Sequence, residues 1–233
     1  VVAMSGGWSP VVHLWSHCGG KLTWNDKIAA FIPDSGKPPV GHHGHGFVST
    51  IGSANGLFQL DELVKNAHDT TTSVLIDLGY EPTKSLMPLA KTISEEPLLA
   101  VWRMPQGAGI KLKSKTWLDF QNDVKITDVE LAAREGFKSV EHAKRYTTLG
   151  MATDQGKLSN INGLAILASS LNGQIADVGT TTFRPPYTPI SMGSIAGEAR
   201  DEIFQPLRKT VLHDWHDQQG AVWEPVGHWH RPF

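Results

Sequence analysis

Apolar and polar positions divide the chain into a few strongly patterned stretches separated by glycine and proline. The opening VVAMSGG is a short β-branched run ended by two glycines, the pattern of a buried parallel strand entering a tight turn. Trp8-Ser9-Pro10 leads into a second apolar stretch, VVHLW. Gly19-Gly20, Pro33, Gly36 and Pro38-Pro39 then punctuate the chain, predicting short strands around KLTW and AAFI joined by turns. Residues 47–51 read as a further strand that enters the turn Gly52-Ser53-Ala54-Asn55-Gly56. Behind that turn Leu57, Leu60, Leu63, Val64, Ala67, Val74, Leu75 and Leu78 fall on one side of a long helix. Strand, glycine turn and helix in this order is how an α/β nucleotide-binding sheet offers backbone N–H groups to phosphate.

Residues 81–115 hold Pro82, Pro88, Pro97 and Pro105 and read as a linker with one short strand at 98–102. A strand at TWLDF follows. Thr127-Asp128-Val129-Glu130 has the form of a capping box at a helix start, and Gly136 closes that helix. Ser139 caps a second helix, with Val140, Ala143, Tyr146 and Thr147 at helical spacing and Gly150 as its left-handed stop. A third helix spans about 160–171 and ends at Asn172-Gly173. GTTTFRPPYTPISMG must be extended, because Pro185, Pro186 and Pro189 oppose helix. The expected fold class is α/β plus a small all-α domain: a partial nucleotide-binding α/β lobe, then a three-helix domain, then an extended tail.

With 233 residues, 40% of them hydrophobic, the chain can bury a real core. Lys plus Arg number 21 against 23 Asp plus Glu, so no global field draws in nucleic acid or an anionic membrane, and neither is expected as a partner. Any anion site must be local. One cysteine, Cys18, excludes an intrachain disulfide and a four-thiolate cluster. No apolar run is long enough for a membrane helix and no signal-peptide pattern opens the chain, so a cytoplasmic location is expected. The abrupt ends, VVAMSGGW and HWHRPF, suggest a piece of something longer.

Candidate chemistry is sparse. His42, His43 and His45 lie in a glycine-rich loop that fixes neither ring orientation nor outer partners, and His213, His216, His228 and His230 lack a zinc-type spacing. These histidines read as packing and hydrogen-bonding groups, and no metal site is expected. Neither GxSxG, nor a Walker loop, nor the full GxGxxG is present, and no residue is assigned a catalytic role. There remains TLGMATDQGK at 148–157, a turn between two helices rich in backbone-binding groups and carrying a cation, Lys157. It suits a small acidic or phosphorylated ligand. The residues alone favour a plain junction in which Thr153 and Asp154 cap the next segment and Lys157 is solvated.

Several motifs together resemble the alpha subunit of heterotetrameric sarcosine oxidase: FQNDV, REGF, VEH, KRYTTLGMATDQGK, GTTTFRPPYTPI, LRKTVLHDWH and GAVWEPVG, with SGGWSPVVHLWS, GKLTW and GSANGLF upstream. The resemblance is dense over 116–233, good over 1–70 and weak over 71–115. It implies that residues 1–80 close an NAD-binding domain, 81–115 link, 116–190 form the family's helical domain, and 191–233 connect to and begin an aminomethyltransferase-like domain. It further implies oxidation of sarcosine to glycine, transfer of the one-carbon unit to tetrahydrofolate and reduction of oxygen to hydrogen peroxide. The implied cofactors are FAD, NAD and an FMN shared with the beta subunit. The implied partners are that beta subunit together with smaller subunits.

The helical domain is also similar to that of bacterioferritin-associated ferredoxin, with Asp119, Gln121, Thr153 and Asp154 where cysteines would hold an iron–sulfur cluster. Oxygen and amide groups cannot replace those thiolates. The resemblance then assigns Gly150, Met151, Ala152, Thr153, Asp154, Gln155, Gly156 and Lys157 to the wall of the FMN site, with Arg184 assisting, and places Gly6, Gly7 and Trp8 near NAD. Two other readings stay open: a docking module without catalysis, and a subunit of a related proline or opine dehydrogenase.

Overall fold

The computed structural model describes residues 7–83, 87, 88, 90–93, 96–103, 107 and 109–233, the side chains of residues 110 and 113 not among them. The expected opening strand therefore lies, but for Gly7, outside the described residues, as does Gly6. The chain divides into two compact units, Val1–Tyr187 and Thr188–Phe233.

In the first unit, helix α1 (His13–His17) precedes the hairpin β1 (Leu22–Asn25) and β2 (Ala30–Pro33). A 3-10 turn, Gly52–Asn55, leads to α2 (Leu60–Asp77). Then come α3 (Ile110–Lys113), β3 (Trp117–Asp119), β4 (Val124–Lys125), α4 (Ile126–Arg134), α5 (Val140–Thr147), α6 (Asn160–Ser170) and α7 (Ile175–Val178). The KLTW and AAFI strands form as expected, with Leu22 opposite Pro33 and Asn25 opposite Ala30.

Among the described residues the sheets are two-stranded and antiparallel, so the parallel nucleotide-binding sheet is not represented there. The reason is a lack of neighbours. A strand exists only where a second strand completes its ladder. Among the described residues, 47–51 have none, the nearest pairing being an isolated bridge between Val40 and Gly46. The expected strand at 98–102 is irregular for the same reason; Leu98 N–H reaches one carbonyl, that of Lys27, at 3.1 Å. VVHLW folds into α1 instead of extending.

Three helices and two hairpins share one core. Leu118, Val124, Ile126, Val129, Val140, Leu149, Leu164 and Leu167 are buried together with Phe31 of β2. Helix α6 lies at the centre, since Gly163, Leu164, Ala165, Ile166, Leu167 and Ala168 are consecutive and all buried. Each buried leucine contributes about 1.5–3 kcal/mol. Helix α2 is the opposite case, with no buried residue along its 18 positions.

Two helix ends differ from expectation. Helix α4 begins two residues earlier than the Thr127 box implies: Lys125 is its N-cap and donates its backbone N–H to the Asp128 carboxylate at 2.8 Å. Helix α5 stops through Thr148, at φ 62°, rather than Gly150, because the Gly150 N–H is drawn to Asp119. Ser139 stands at the N-cap of α5 with its carbonyl, not its hydroxyl, taking the first N–H groups. Gly136 closes α4 at φ 94°.

The second unit contains α8 (Met192–Ala196), α9 (Asp201–Phe204), α10 (His213–Gln218) and the hairpin β5 (Trp223–Val226) with β6 (Trp229–Pro232). Its centre is a stack in which the Trp223 ring lies 4.0 Å from His213 and 5.0 Å from His230, nearly parallel to both. His213 Nε2 and His230 Nδ1 are 3.2 Å apart and share a hydrogen bond. No helix among the described residues is long and apolar enough to cross a membrane.

Candidate functional site

The turn at 148–157 is held from three directions. From within, Leu149 anchors it: the side chain is 1% exposed and lies so close to α6 that a Cβ on Gly163 would come 2.3 Å from it. From β3, the buried Asp119 carboxylate gathers two loops. One oxygen accepts the Gln121 and Asn122 N–H groups at 2.8 and 3.0 Å, and the other accepts Gly150 N–H at 2.8 Å. Asn122 adds a bond from its amide to Thr148 O at 2.9 Å. Gln121 Oε1 accepts from Asp154 N–H at 3.5 Å. Asp119, Gln121 and Asp154 are thus brought together, with backbone N–H groups converging on the Asp119 carboxylate.

From α6, Asn160 donates its amide to Gln155 O and to Thr181 Oγ1, both at 3.0 Å. Its Oδ1 lies against Gly150 and Gly156, which have φ of 64° and 72°; a Cβ on either would sit 2.1 Å from that oxygen. Both glycines are required twice, by backbone conformation and by space.

The third support is the extended segment after α7. Gln155 donates to Arg184 O at 3.1 Å and Pro186 O at 2.9 Å, and accepts from Arg184 N–H at 3.4 Å. Lys157 donates to Tyr187 O at 2.7 Å and Asp154 O at 3.3 Å, with its ammonium 3.9 Å from the Tyr187 ring centre. Burial, reinforced by Asp154, pushes the Tyr187 phenol above its ordinary pKa. His13 of α1 also packs against Tyr187, with ring centres 4.9 Å apart, and is held below the usual imidazole value by burial, then by His17 and Lys157.

Within the turn the N–H groups of Gly150, Met151, Asp154, Gln155, Gly156 and Lys157 are all bonded internally or to β3 and its loop. Among the described residues, those of Ala152 and Thr153 make no hydrogen bond and stay available for a ligand. Beside the turn opens a cavity of about 420 Å³ lined by Glu141, Lys144, Arg145, Gly150, Met151, Gln155 and Arg184. This volume lies in the range of small-molecule sites. Gly7 and Trp8 sit elsewhere, in a cleft of about 600 Å³ that also takes in Lys27, Ser53 and Phe58.

Glu141 ties this cavity to the extended segment, accepting Thr182 N–H at 2.7 Å and Arg145 Nη1 at 2.8 Å. Burial raises its pKa, but the Thr182 bond and the Arg145 and Lys144 charges together outweigh burial and leave it lowered. A carboxylate lowered in the folded state contributes stability that is present above its unfolded value, 4.5, and is lost as pH falls through the folded value. Glu141→Gln is therefore expected to flatten the decline of stability below pH 4.5, measured by urea unfolding against pH. An unchanged acid limb would assign that decline to other groups.

Residues 113–198 match the sarcosine oxidase A3 domain. Over 234 aligned residues, covering 99% of the chain, it is 40% identical to the alpha subunit of sarcosine oxidase from Rhizobium meliloti (strain 1021). The chain is thus similar, along nearly its whole length, to a sarcosine oxidase alpha subunit. A second alpha subunit, from Corynebacterium sp. (strain P-1), is 36% identical over 99% of the chain. The chain spans 22% and 23% of the length of these two relatives. An opine oxidase subunit from Rhizobium meliloti (strain 1021) is 22% identical over 84% of the chain and 43% of its own length. In fold, the chain is similar to a crystal structure of L-proline dehydrogenase from P. horikoshii, with a TM-score of 0.57 and 17% identity, covering 79% of this chain and 37% of that one.

The sequence motif marks the turn and Arg184, and the structure brings them into contact through Gln155. Sequence reasoning missed Glu141, Lys144, Asn160 and Tyr187. The available signal was the Glu141–Arg145 spacing, which places a carboxylate and a cation on one helix face and Lys144 beside them.

Proposed function

We propose that this chain is part of the alpha subunit of an enzyme complex that oxidises sarcosine to glycine, passes the one-carbon unit to tetrahydrofolate and reduces oxygen to hydrogen peroxide. The observation that carries the reading is 40% identity along 99% of the chain to the alpha subunit of a sarcosine oxidase. In this reading residues 148–157 form the alpha-subunit wall of a flavin mononucleotide site facing a beta subunit. A flavin held there would supply a carrier for the electrons removed from the amine substrate.

The residues fit such a group. The unused N–H groups of Ala152 and Thr153 lie on a turn whose other donors are satisfied, so they are fixed in place at no further cost in order. Lys157 acts as a strut between the turn and Tyr187, and Arg184 borders the adjoining cavity. Gly7 and Trp8 line the cleft assigned to NAD, with FAD and tetrahydrofolate held by other parts of the complex. The likeness to the opine oxidase subunit favours a second reading, oxidation of an opine, with the same role for the turn.

The test is the assembled complex, the full-length alpha chain with its partners, analysed for flavin mononucleotide after denaturation and for sarcosine-dependent peroxide. The expected result is one flavin mononucleotide per alpha–beta pair and peroxide from sarcosine in preference to opines. In Lys157→Met the flavin content should fall to about half or less, since the strut and its two carbonyl bonds are lost. Unchanged flavin content in that variant removes Lys157 from the site, and an assembled complex without flavin mononucleotide removes the flavin role of the turn.

A further inference from the structure

We propose that Lys144 and Arg184 form a phosphate-monoester site in the cavity beside the turn. The inference rests on the flavin reading above and deepens it: the monoester is the phosphate end of the flavin mononucleotide. Three features of the cavity point this way.

The first is charge without a counterion. Three cations, Lys144, Arg145 and Arg184, and one carboxylate, Glu141, line the same space. Glu141 is committed to Arg145, at 2.8 Å, and to Thr182 N–H. Among the described residues neither the Lys144 ammonium nor the Arg184 guanidinium has an ion pair or a hydrogen bond. Lys144 is half-buried, and burial holds its pKa below the ordinary lysine value; Glu141 opposes this, and Arg184 and Arg145 add to it. Arg184 and Arg145 are exposed, so the cost falls on the half-buried Lys144, and an anion bound between Lys144 and Arg184 would relieve it.

The second is stoichiometry of charge. With Arg145 neutralised by Glu141, two cations remain. A phosphate monoester carries about −1.5 to −2 charges at pH 7, whereas a single carboxylate leaves one cation unmatched. A guanidinium fork paired with an ammonium point charge is the combination suited to phosphate oxygens.

The third is fixed placement. The Arg184 backbone is clamped by Gln155 through both its N–H and its carbonyl, at 3.4 and 3.1 Å. Lys144 stands on α5, whose neighbour Ala143 is buried in the core. Lys157, the cation that the sequence singles out, is already engaged by two carbonyls and the Tyr187 ring, which leaves the anion to the other two.

The experiment is phosphorus-31 NMR of the flavin phosphate in the assembled complex, titrated between about pH 5 and 8 around the free monoester value of about 6. The wild-type midpoint should lie at least about one unit below the free value, as for an anion beside opposite charges. Lys144→Met and Arg184→Met should each raise it toward about 6, while Lys138→Met, an equal loss of charge on the exposed surface of the same unit, should not. Flavin present with the same midpoint in wild type, Lys144→Met and Arg184→Met overturns the phosphate site and leaves the flavin wall standing. A wild-type complex lacking flavin mononucleotide overturns both. Should the methionine variants fail to assemble, the wild-type complex decides alone: a midpoint at or above about 6 overturns the proposal.

Discussion

Asp119→Ala is expected to destabilise the protein by about 3–5 kcal/mol, among the largest losses of any single polar substitution in the chain. The carboxylate is 3% exposed and accepts three backbone N–H groups, from Gln121, Asn122 and Gly150, at 2.8 to 3.0 Å. Hydrogen bonds to a charged acceptor are each worth about 1.5–3 kcal/mol, and the deletion leaves the buried Gly150 donor without a partner. Asp119→Asn retains one acceptor oxygen and should recover about half of the loss. Urea unfolding of the two variants beside wild type gives the comparison. A loss under roughly 1 kcal/mol for alanine would show that water replaces the carboxylate, and that the turn is not held from β3.

Gly156→Ala is the second large effect, with an expected cost of about 2–4 kcal/mol. The added methyl meets the Asn160 side chain at 2.1 to 2.5 Å, and the residue sits at φ 72°, where alanine is disfavoured. Asn160 cannot swing away cheaply, because its amide holds Gln155 O and Thr181 Oγ1. The combination Gly156→Ala with Asn160→Ala separates the two causes: the steric part should vanish and the backbone part, about 1 kcal/mol, should remain. If the double variant is no better than the sum of the singles, Asn160 is not the obstacle.

How far the sequence could be read depended on whether the deciding contact was local. The β1–β2 hairpin, α2 and α6 follow from periodicities of two and 3.6 with glycine or proline at their ends, and each was legible. Residues 47–51 and 98–102 carry apolar side chains suited to strands, yet a strand needs a neighbour, and pattern alone does not reveal that the described residues supply none. The exchange of Gly150 for Thr148 as the left-handed residue ending α5 turns on Asp119, 31 positions away from Gly150 in the chain. The turn itself stood out by composition. Its cation did not: Lys157 is the conspicuous residue in TLGMATDQGK, but it is Lys144 and Arg184 whose side chains have no hydrogen bond or ion pair among the described residues, a distinction made by the carbonyls of Asp154 and Tyr187.

Leu149 and Gly163 together settle what sort of surface the turn presents. A leucine 1% exposed, seated against a helix too close to accept even a methyl group, cannot leave without opening the central layer of the unit. The corner is consequently preorganised: a visiting molecule or facing polypeptide meets a finished shape, and adhesion there forfeits little freedom on this side. Whatever induced fit the encounter demands must come from the other side.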